Sequence, residues 1–267
     1  MAHLGVLNAL KNSGIVVDDI VGTSAGAMTG ILHAAGFDPE YLVDRFSIDL
    51  KPGWPFRAMP GGKNWYLVYK YRRGHFDRML RNYLAQWRLE QLPIPVQSVT
   101  VDLIAGRPVQ RSRGDAVDAI LESINLPVFS KPIYRDGQAL VDGGLVDNVP
   151  ADVLLRRGCN FVIAVSVTSA LESEFAKNNS STPTANMRSA STLQTLLRSY
   201  LVQHVNMNSV GVEPADFVIE PNVAGVDLSD FSRTRDLASV GQQTALDAMT
   251  PLKSLLSKLD DRLFATS

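Results

Sequence analysis

The sequence predicts an α/β protein with a largely parallel central sheet, and three observations predict it. Apolar, strand-like runs alternate with segments of helical spacing along the chain. Phe161 to Val167 is apolar apart from Ser166, the mark of a strand buried on both faces. Gly22-Thr23-Ser24-Ala25-Gly26 joins a short apolar run to a helix, the strand–turn–helix order of a βα unit.

Taken in order, residues 2 to 13 carry Leu4, Leu7, Ala9 and Leu10 at helical spacing, and Gly14 closes the segment. No strand-like run precedes this helix in the sequence. Ile15-Val16-Val17 and Ile20-Val21, broken by Asp18-Asp19, read as one buried strand. Ala25 to Ala35 are helix formers, with Gly36 as the stop and Pro39 just beyond. Val96 to Ile104 is strand-like, Ala105-Gly106-Arg107 a turn and Pro108 to Gln110 a return strand. Asp115 to Ile124 reads as a helix, and Ala139-Leu140-Val141 as a short strand running into Asp142-Gly143-Gly144. Asn148 is expected to cap, and Pro150 to open, a helix reaching Arg157. Leu193 to Met207 returns as an amphipathic helix and Phe217-Val218-Ile219 as a strand. Arg233 to Leu259 forms a last helix interrupted near Pro251. Residues 172–191, rich in Ser, Thr and Asn, are expected to form a flexible surface loop. The expected organisation is one domain over 1–267, with 45–92 as an embedded cap or flap.

Composition narrows the class. With 267 residues, 45 % of them hydrophobic and 20 % charged, the chain can bury a sizeable core. A net charge of −1 argues against a nucleic-acid partner. The single cysteine, Cys159, permits no internal disulfide and reads as a small buried apolar residue. No run is long and apolar enough for a membrane span and the start carries no signal-peptide pattern, so a cytoplasmic location is expected. The segment Lys51–Arg88 departs from the rest: nine Lys and Arg residues face one acid, Asp77, among Trp54, Trp65 and Trp87 and several tyrosines. Basic residues between amphipathic rings suit peripheral contact with an anionic membrane, and equally suit a solvated helical cap with its aromatics turned inward.

The chemistry concentrates at Ser24. A serine on so tight a turn needs small neighbours, and Gly22 and Gly26, with Thr23 and Ala25 between, would let strand and helix approach while pushing the hydroxyl clear. The helix start aims amide N–H groups, Ala25 first, at a place where negative charge would develop. Its base must come from elsewhere in the chain. His33 lies roughly 13 Å along the helix that starts at Ser24, too far to serve. His3 reads as a packed or solvated residue. His204 would complete the order Ser24, Asp142, His204 of an α/β-hydrolase, but it falls within a helix rather than on a loop. Asp142 is the better candidate, at a strand end where Gly143 and Gly144 permit an exposed carboxylate and close backbone approach. Asp147 is expected to bond the turn or the helix start instead.

With those residues in view the chain resembles the patatin-like phospholipases. Gly22-Thr23-Ser24-Ala25-Gly26, preceded by His3-Leu4-Gly5-Val6-Leu7, is similar to their nucleophile region. Asp142-Gly143-Gly144 with Asp147-Asn148-Val149-Pro150 is similar to their second motif, and Ser123-Ile124-Asn125-Leu126-Pro127 to the segment before it. Asp216-Phe217-Val218-Ile219-Glu220-Pro221 resembles the bacterial branch related to neuropathy target esterase. The resemblance implies a three-layer α/β/α sandwich and a Ser24–Asp142 dyad without histidine, metal or cofactor. The implied substrates are phospholipids or lysophospholipids, cleaved by acyl-ester hydrolysis. It also implies a first strand and a Gly-Gly-Gly-x-Arg/Lys-Gly loop ahead of the His-Leu-Gly-Val helix, neither of which stands in this sequence. The expectation is therefore impaired catalysis and stability, with a lipid- or membrane-binding homologue as the alternative to an active hydrolase.

Overall fold

The sheet is built around one strand. In this computed structural model, which describes residues 1–50, 73–127, 130–167, 192–223 and 233–264, β2 (Val96–Asp102) is paired along both edges. One edge carries β3 (Arg107–Arg111), antiparallel from Ser98 to Asp102. The other edge carries two strands in succession. β1 (Ile20–Thr23) runs parallel beside Val96–Val99, and β5 (Gln138–Asp142) runs antiparallel beside Thr100–Asp102. β4 (Ile133–Arg135) pairs antiparallel with β5. β1 and β5 thus approach from opposite directions, and their last residues, Thr23 and Asp142, stand beside the consecutive positions Val99 and Thr100. Ser24 and Asp142, 118 apart in sequence, meet because the two strands share one edge of β2.

A second sheet of two parallel strands, β6 (Ile163–Val165) and β7 (Phe217–Ile219), lies apart from the first among the described residues. The expected largely parallel sheet is therefore corrected to a mixed one, since β3, β4 and β5 all pair antiparallel. Two strand readings also shorten. Ile15–Val17 stays outside β1, with Val16 85 % exposed, because the polar Asp18-Asp19 pair ends the apolar run. Phe161–Val167 contributes only three residues to β6, where Ala164 is buried and Ile163 and Val165 are half-buried.

Helices cover both sheets. α1 (Ala2–Asn12), α2 (Ala25–Ala34), α3 (Pro39–Asp49), α4 (Arg73–Leu84) and α5 (Ala116–Ser123) supply most of the largest apolar cluster, around Leu4, Ile31, Phe46, Leu80 and Ile120. Residues 73–84 are thus part of the core, as Phe76, Met79, Leu80 and Leu84 demonstrate, and the remainder of the 45–92 segment over 51–72 lies outside the described residues. α6 (Ala151–Arg156), α7 (Thr192–Val212), α8 (Thr234–Asp247) and α9 (Met249–Phe264) follow. Strand alternation divides the second sheet between two layers. Ile163, Val165, Phe217 and Ile219 join the cluster of α1, α8 and α9, whereas Ala164 and Val218 join that of α6 and α7. The last helix breaks at Ala248, and Pro251 falls in the first turn of α9, where a missing N–H costs nothing. Asn148 does not cap α6; Pro150 holds that position, and the Asn148 amide bonds Asn208 of α7. The expected loop over 172–191 lies outside the described residues.

α1 and α8 cross at backbone contact. A side chain at Gly5 would put its Cβ 1.8 Å from the Ala238 carbonyl, and one at Gly241 would put it 2.1 Å from that of Ala2. Between β1 and β6 lies a cavity of about 700 Å³, lined by every residue of both strands and by His3, Val6, Leu7 and Leu10 of α1. β1 pairs only with β2 and β6 only with β7 among the described residues, so each turns a free edge toward this cavity.

Candidate active site

Ser24 stands at the junction of β1 and α2 with φ 53° and ψ −120°, a conformation that non-glycine residues rarely adopt. The tightness of this elbow explains Gly22. A Cβ there would lie 2.5 Å from the Gly26 carbonyl carbon and 2.6 Å from the Ala27 nitrogen, so only glycine lets the helix start fold back on the strand. Gly26 is not constrained in that way, contrary to the sequence reading: a Cβ there would meet only His3 Nε2, at 3.7 Å. Ser24 is the N-cap residue of α2, and its carbonyl accepts from the Met28 N–H at 3.1 Å. The Ala25 amide is the first of the helix and belongs to the set that no intrahelical carbonyl can satisfy.

The Ser24 hydroxyl donates to Asp142 Oδ2 at 2.7 Å. Asp142 is fully buried, and its other oxygen, Oδ1, accepts the Gly144 N–H at 2.8 Å. Burial pushes its pKa up to about 6, opposed by the Ser24 and Gly144 hydrogen bonds. Gly143 packs flat on β2, where a Cβ would come within 2.5 Å of the Val99 carbonyl. The turn beyond is tied to β1, because Thr23 Oγ1 donates to the Asp147 carbonyl at 2.7 Å and the Asp147 N–H to the Gly143 carbonyl at 2.9 Å. Asp147 is thus tied into the turn through its main-chain carbonyl and N–H. Burial, with Asp152 nearby, also lifts its pKa to about 6.

His204 falls within α7, as expected, yet the fold brings it to the Asp142 turn. A Cβ on Gly144 would lie 2.6 Å from His204 Cε1, 2.9 Å from its Nδ1 and 3.1 Å from Asp142 Oδ1. The direct Ser24–Asp142 bond leaves the imidazole no place between them, and burial pushes its pKa down. Gln203 of the same helix donates to the Leu145 carbonyl, so α7 closes over the turn that carries Asp142. Nothing in the local pattern around His204 or Gln203 signals this role; it follows from tertiary packing. His3 lines the cavity, with a pKa lowered to about 3 by burial. Cys159 is half-buried, packs against the α6–β6 cluster and sits 3.9 Å from Asp19 Oδ2, a more polar setting than expected.

Of the basic segment Lys51–Arg88, two of the described cations form ion pairs, and Arg78 donates to the Gly74 carbonyl. Arg81 meets Asp77, Asp115 and Asp118, and Arg88 meets Glu90. Trp54, Trp65 and Tyr66 to Tyr71 lie outside the described residues. Among the described residues no cluster of three or more His, Cys, Asp or Glu could hold a metal ion, and no helix is long and apolar enough to cross a membrane.

Comparison with known proteins gives this geometry its context. The family profile for patatin-like phospholipases matches residues 1–155, a span that holds both Ser24 and Asp142. The chain belongs to the patatin-like phospholipase family. Within it, an uncharacterised NTE family protein of Mycobacterium tuberculosis strain CDC 1551 is 26 % identical over 93 % of this chain and 44 % of its own length. Lysophospholipase NTE1 of Kluyveromyces lactis is 34 % identical over 63 % of this chain and 12 % of that protein. Lysophospholipase NTE1 of Mycosarcoma maydis is 33 % identical over 63 % of this chain. The chain thus spans less than half the length of these relatives.

Proposed function

We propose that this patatin-like protein is a serine lipid acyl hydrolase of phospholipase A or lysophospholipase type, acting through Ser24 and Asp142. The observation that carries the reading is the 2.7 Å hydrogen bond from a strained, elbow-borne hydroxyl to a buried carboxylate. In the reaction, Asp142 Oδ2 takes the Ser24 proton while Oγ bonds the ester carbonyl carbon, and the carbonyl oxygen becomes an oxyanion. Collapse breaks the bond to the leaving alcohol, which takes the proton from Asp142, and an acyl-Ser24 remains. Water then gives its proton to Asp142 and attacks the acyl carbon. Ser24 leaves with that proton and the fatty acid is released.

A carboxylate with a pKa of about 6 is a weak base toward an alcohol, so oxyanion stabilisation has much to supply. The amides at the start of α2, with Ala25 first, and the positive end of that helix are positioned for it. Each such donor is typically worth about 3–4 kcal/mol. One observation favours a second reading, a lipid-binding relative with weak turnover. Beside Gly22, Thr23 and Gly26, the cavity of about 700 Å³ opens along the free edge of β1. The same reading includes phospholipid or lysophospholipid as ligand. Peripheral contact with an anionic membrane would rest on the part of Lys51–Arg88 outside the described residues.

A fluorophosphonate probe separates the readings, because it reports a reactive serine without needing turnover. Labelling of the protein that disappears in Ser24→Ala, together with hydrolysis of a p-nitrophenyl ester, is the expected result. Labelling without hydrolysis would favour the weak-turnover reading. Equal labelling of Ser24→Ala would remove Ser24 from the mechanism.

A further inference from the structure

Ser123, the last residue of α5, and Asn125, two positions on, touch both halves of the Ser24–Asp142 pair. Ser123 is fully buried and Asn125 nearly so. The Ser123 hydroxyl accepts the Ser24 backbone N–H at 2.9 Å and donates its own proton to the Val99 carbonyl at 2.7 Å. A serine in a helix ordinarily turns its hydroxyl back to its own helix. This one reaches instead to the elbow and to the central strand. The carbonyl it binds is also the one against which Gly143 packs, so a single peptide of β2 is the reference for the nucleophile and for the turn behind the carboxylate. Asn125 holds the other partner. Its main-chain carbonyl accepts the Asp142 N–H at 2.9 Å, and its Nδ2 donates to the carbonyls of Leu140 at 3.0 Å and Lys131 at 3.1 Å. The remaining amide oxygen accepts from the Ser130 hydroxyl, so the side chain is fully engaged.

We propose that Ser123-Ile124-Asn125 is a positioning clamp that sets the separation of Ser24 and Asp142, a role that rests on the hydrolase reading above. Neither residue contacts the reacting atoms. Ser123 locks the elbow at its strained φ and ψ, which persist only where the surroundings over-determine them, and Asn125 fixes where β5 ends. Without the Ser123 hydroxyl the Ser24 amide and the Val99 carbonyl lose their partner. The elbow then relaxes and Oγ moves away from Oδ2. Misplacement on the order of 1 Å costs roughly 100-fold in rate.

The test is Ser123→Ala, read by the rate of fluorophosphonate labelling at Ser24 and by ester hydrolysis. Labelling rate and kcat are expected to fall about 10- to 100-fold with KM within about twofold. Ser123→Thr keeps the hydroxyl and is expected to regain most of the rate. Leu252→Ala, in the cluster of α1, α8 and α9, supplies a destabilised control expected to label at the normal rate. Ser123→Cys, close in shape but a weak hydrogen-bonding group, makes the same comparison if the alanine variant does not fold. Wild-type labelling rates in Ser123→Ala, or equal slowing in Ser123→Ala and Leu252→Ala, would overturn the clamp. If the unsubstituted protein fails to label at all, the nucleophile reading falls first and the clamp falls with it.

Discussion

Asp142→Asn should raise stability while destroying activity, and the size of the gain follows from the site. Asparagine keeps the shape and both hydrogen bonds: its oxygen can accept the Gly144 N–H, and its amide can donate to Ser24 Oγ. What disappears is a buried charge. The carboxyl has a pKa of about 6 when folded against an ordinary value of 3.8. A carboxyl raised in this way favours the folded state fully below about pH 3.8, and that contribution is lost as pH rises through about 6. Above that window the difference amounts to about 3 kcal/mol. Asp147 has a similarly raised pKa but is present in both proteins, so it cancels in the comparison. The variant is therefore expected to gain up to about 3 kcal/mol at pH 7.5, or roughly 6–12 °C in Tm. Near pH 4 the gain should vanish. Urea denaturation at the two pH values measures it, and ester hydrolysis by the same samples should be down about 100- to 10,000-fold, the usual worth of a general base. Equal stability of the two proteins at pH 7.5 would refute the buried-charge account. Retained hydrolysis would remove Asp142 as the base.

Three further outcomes are expected. kcat/KM of the unsubstituted protein should fall tenfold per pH unit below about 6 as Asp142 takes up its proton, and a profile flat to pH 5 would contradict this. Gly144→Ala should lose activity because its Cβ meets both His204 and Asp142 Oδ1; assays of Gly144→Ala/His204→Ala should recover part of it, since the larger of the two obstacles is then gone. Glu122→Gln should destabilise the fold by about 2 kcal/mol in urea, because a buried carboxylate 2.5 Å from both Arg111 and Arg135 is neutralised, leaving Arg111 without its carboxylate and Arg135 with Asp118 alone.

The parts of this site that are legible in the sequence are those encoded locally. Gly22 to Ala35 states its strand end, elbow and helix in consecutive residues, and Asp142-Gly143-Gly144 states a strand end and a tight turn. How the two meet is not local. Their junction depends on β1 and β5 sharing one edge of β2, and β5 is held there by β4, a three-residue strand with no periodicity to read. The same limit explains the mistaken sheet. A hairpin such as β2–β3 announces itself through its turn, whereas the antiparallel return of β5 comes after a helix and looks like another parallel crossover. Gly26 misleads for a related reason, because the pattern is symmetric about Ser24 and the packing is not: the start of α2 presses on Gly22, whereas a Cβ at Gly26 would meet only His3. His204 reads from the sequence only as a mid-helix residue, and its place beside the Asp142 turn depends on α7 crossing that turn.

The placement of these contacts separates catalytic geometry from stability. Nucleophile, carboxylate and clamp are all referenced to β2: Thr23 and Asp142 through pairing, Ser123 and Gly143 through the Val99 carbonyl. The open cavity lies on the opposite edge of β1, facing β6. Loosening across that cavity would act first on β6 and β7, which share no strand pairing with the β1–β2–β5 junction among the described residues. The Ser24–Asp142 hydrogen bond is therefore expected to persist when the β6–β7 sheet loosens. If catalysis is weak, the cause then lies with the donors that face the oxyanion. A fluorophosphonate adduct must form its own oxyanion-like centre in the same place, so labelling and turnover should weaken together if donors are limiting. Fast labelling with slow turnover would instead put the fault in deacylation, where Asp142 must activate water.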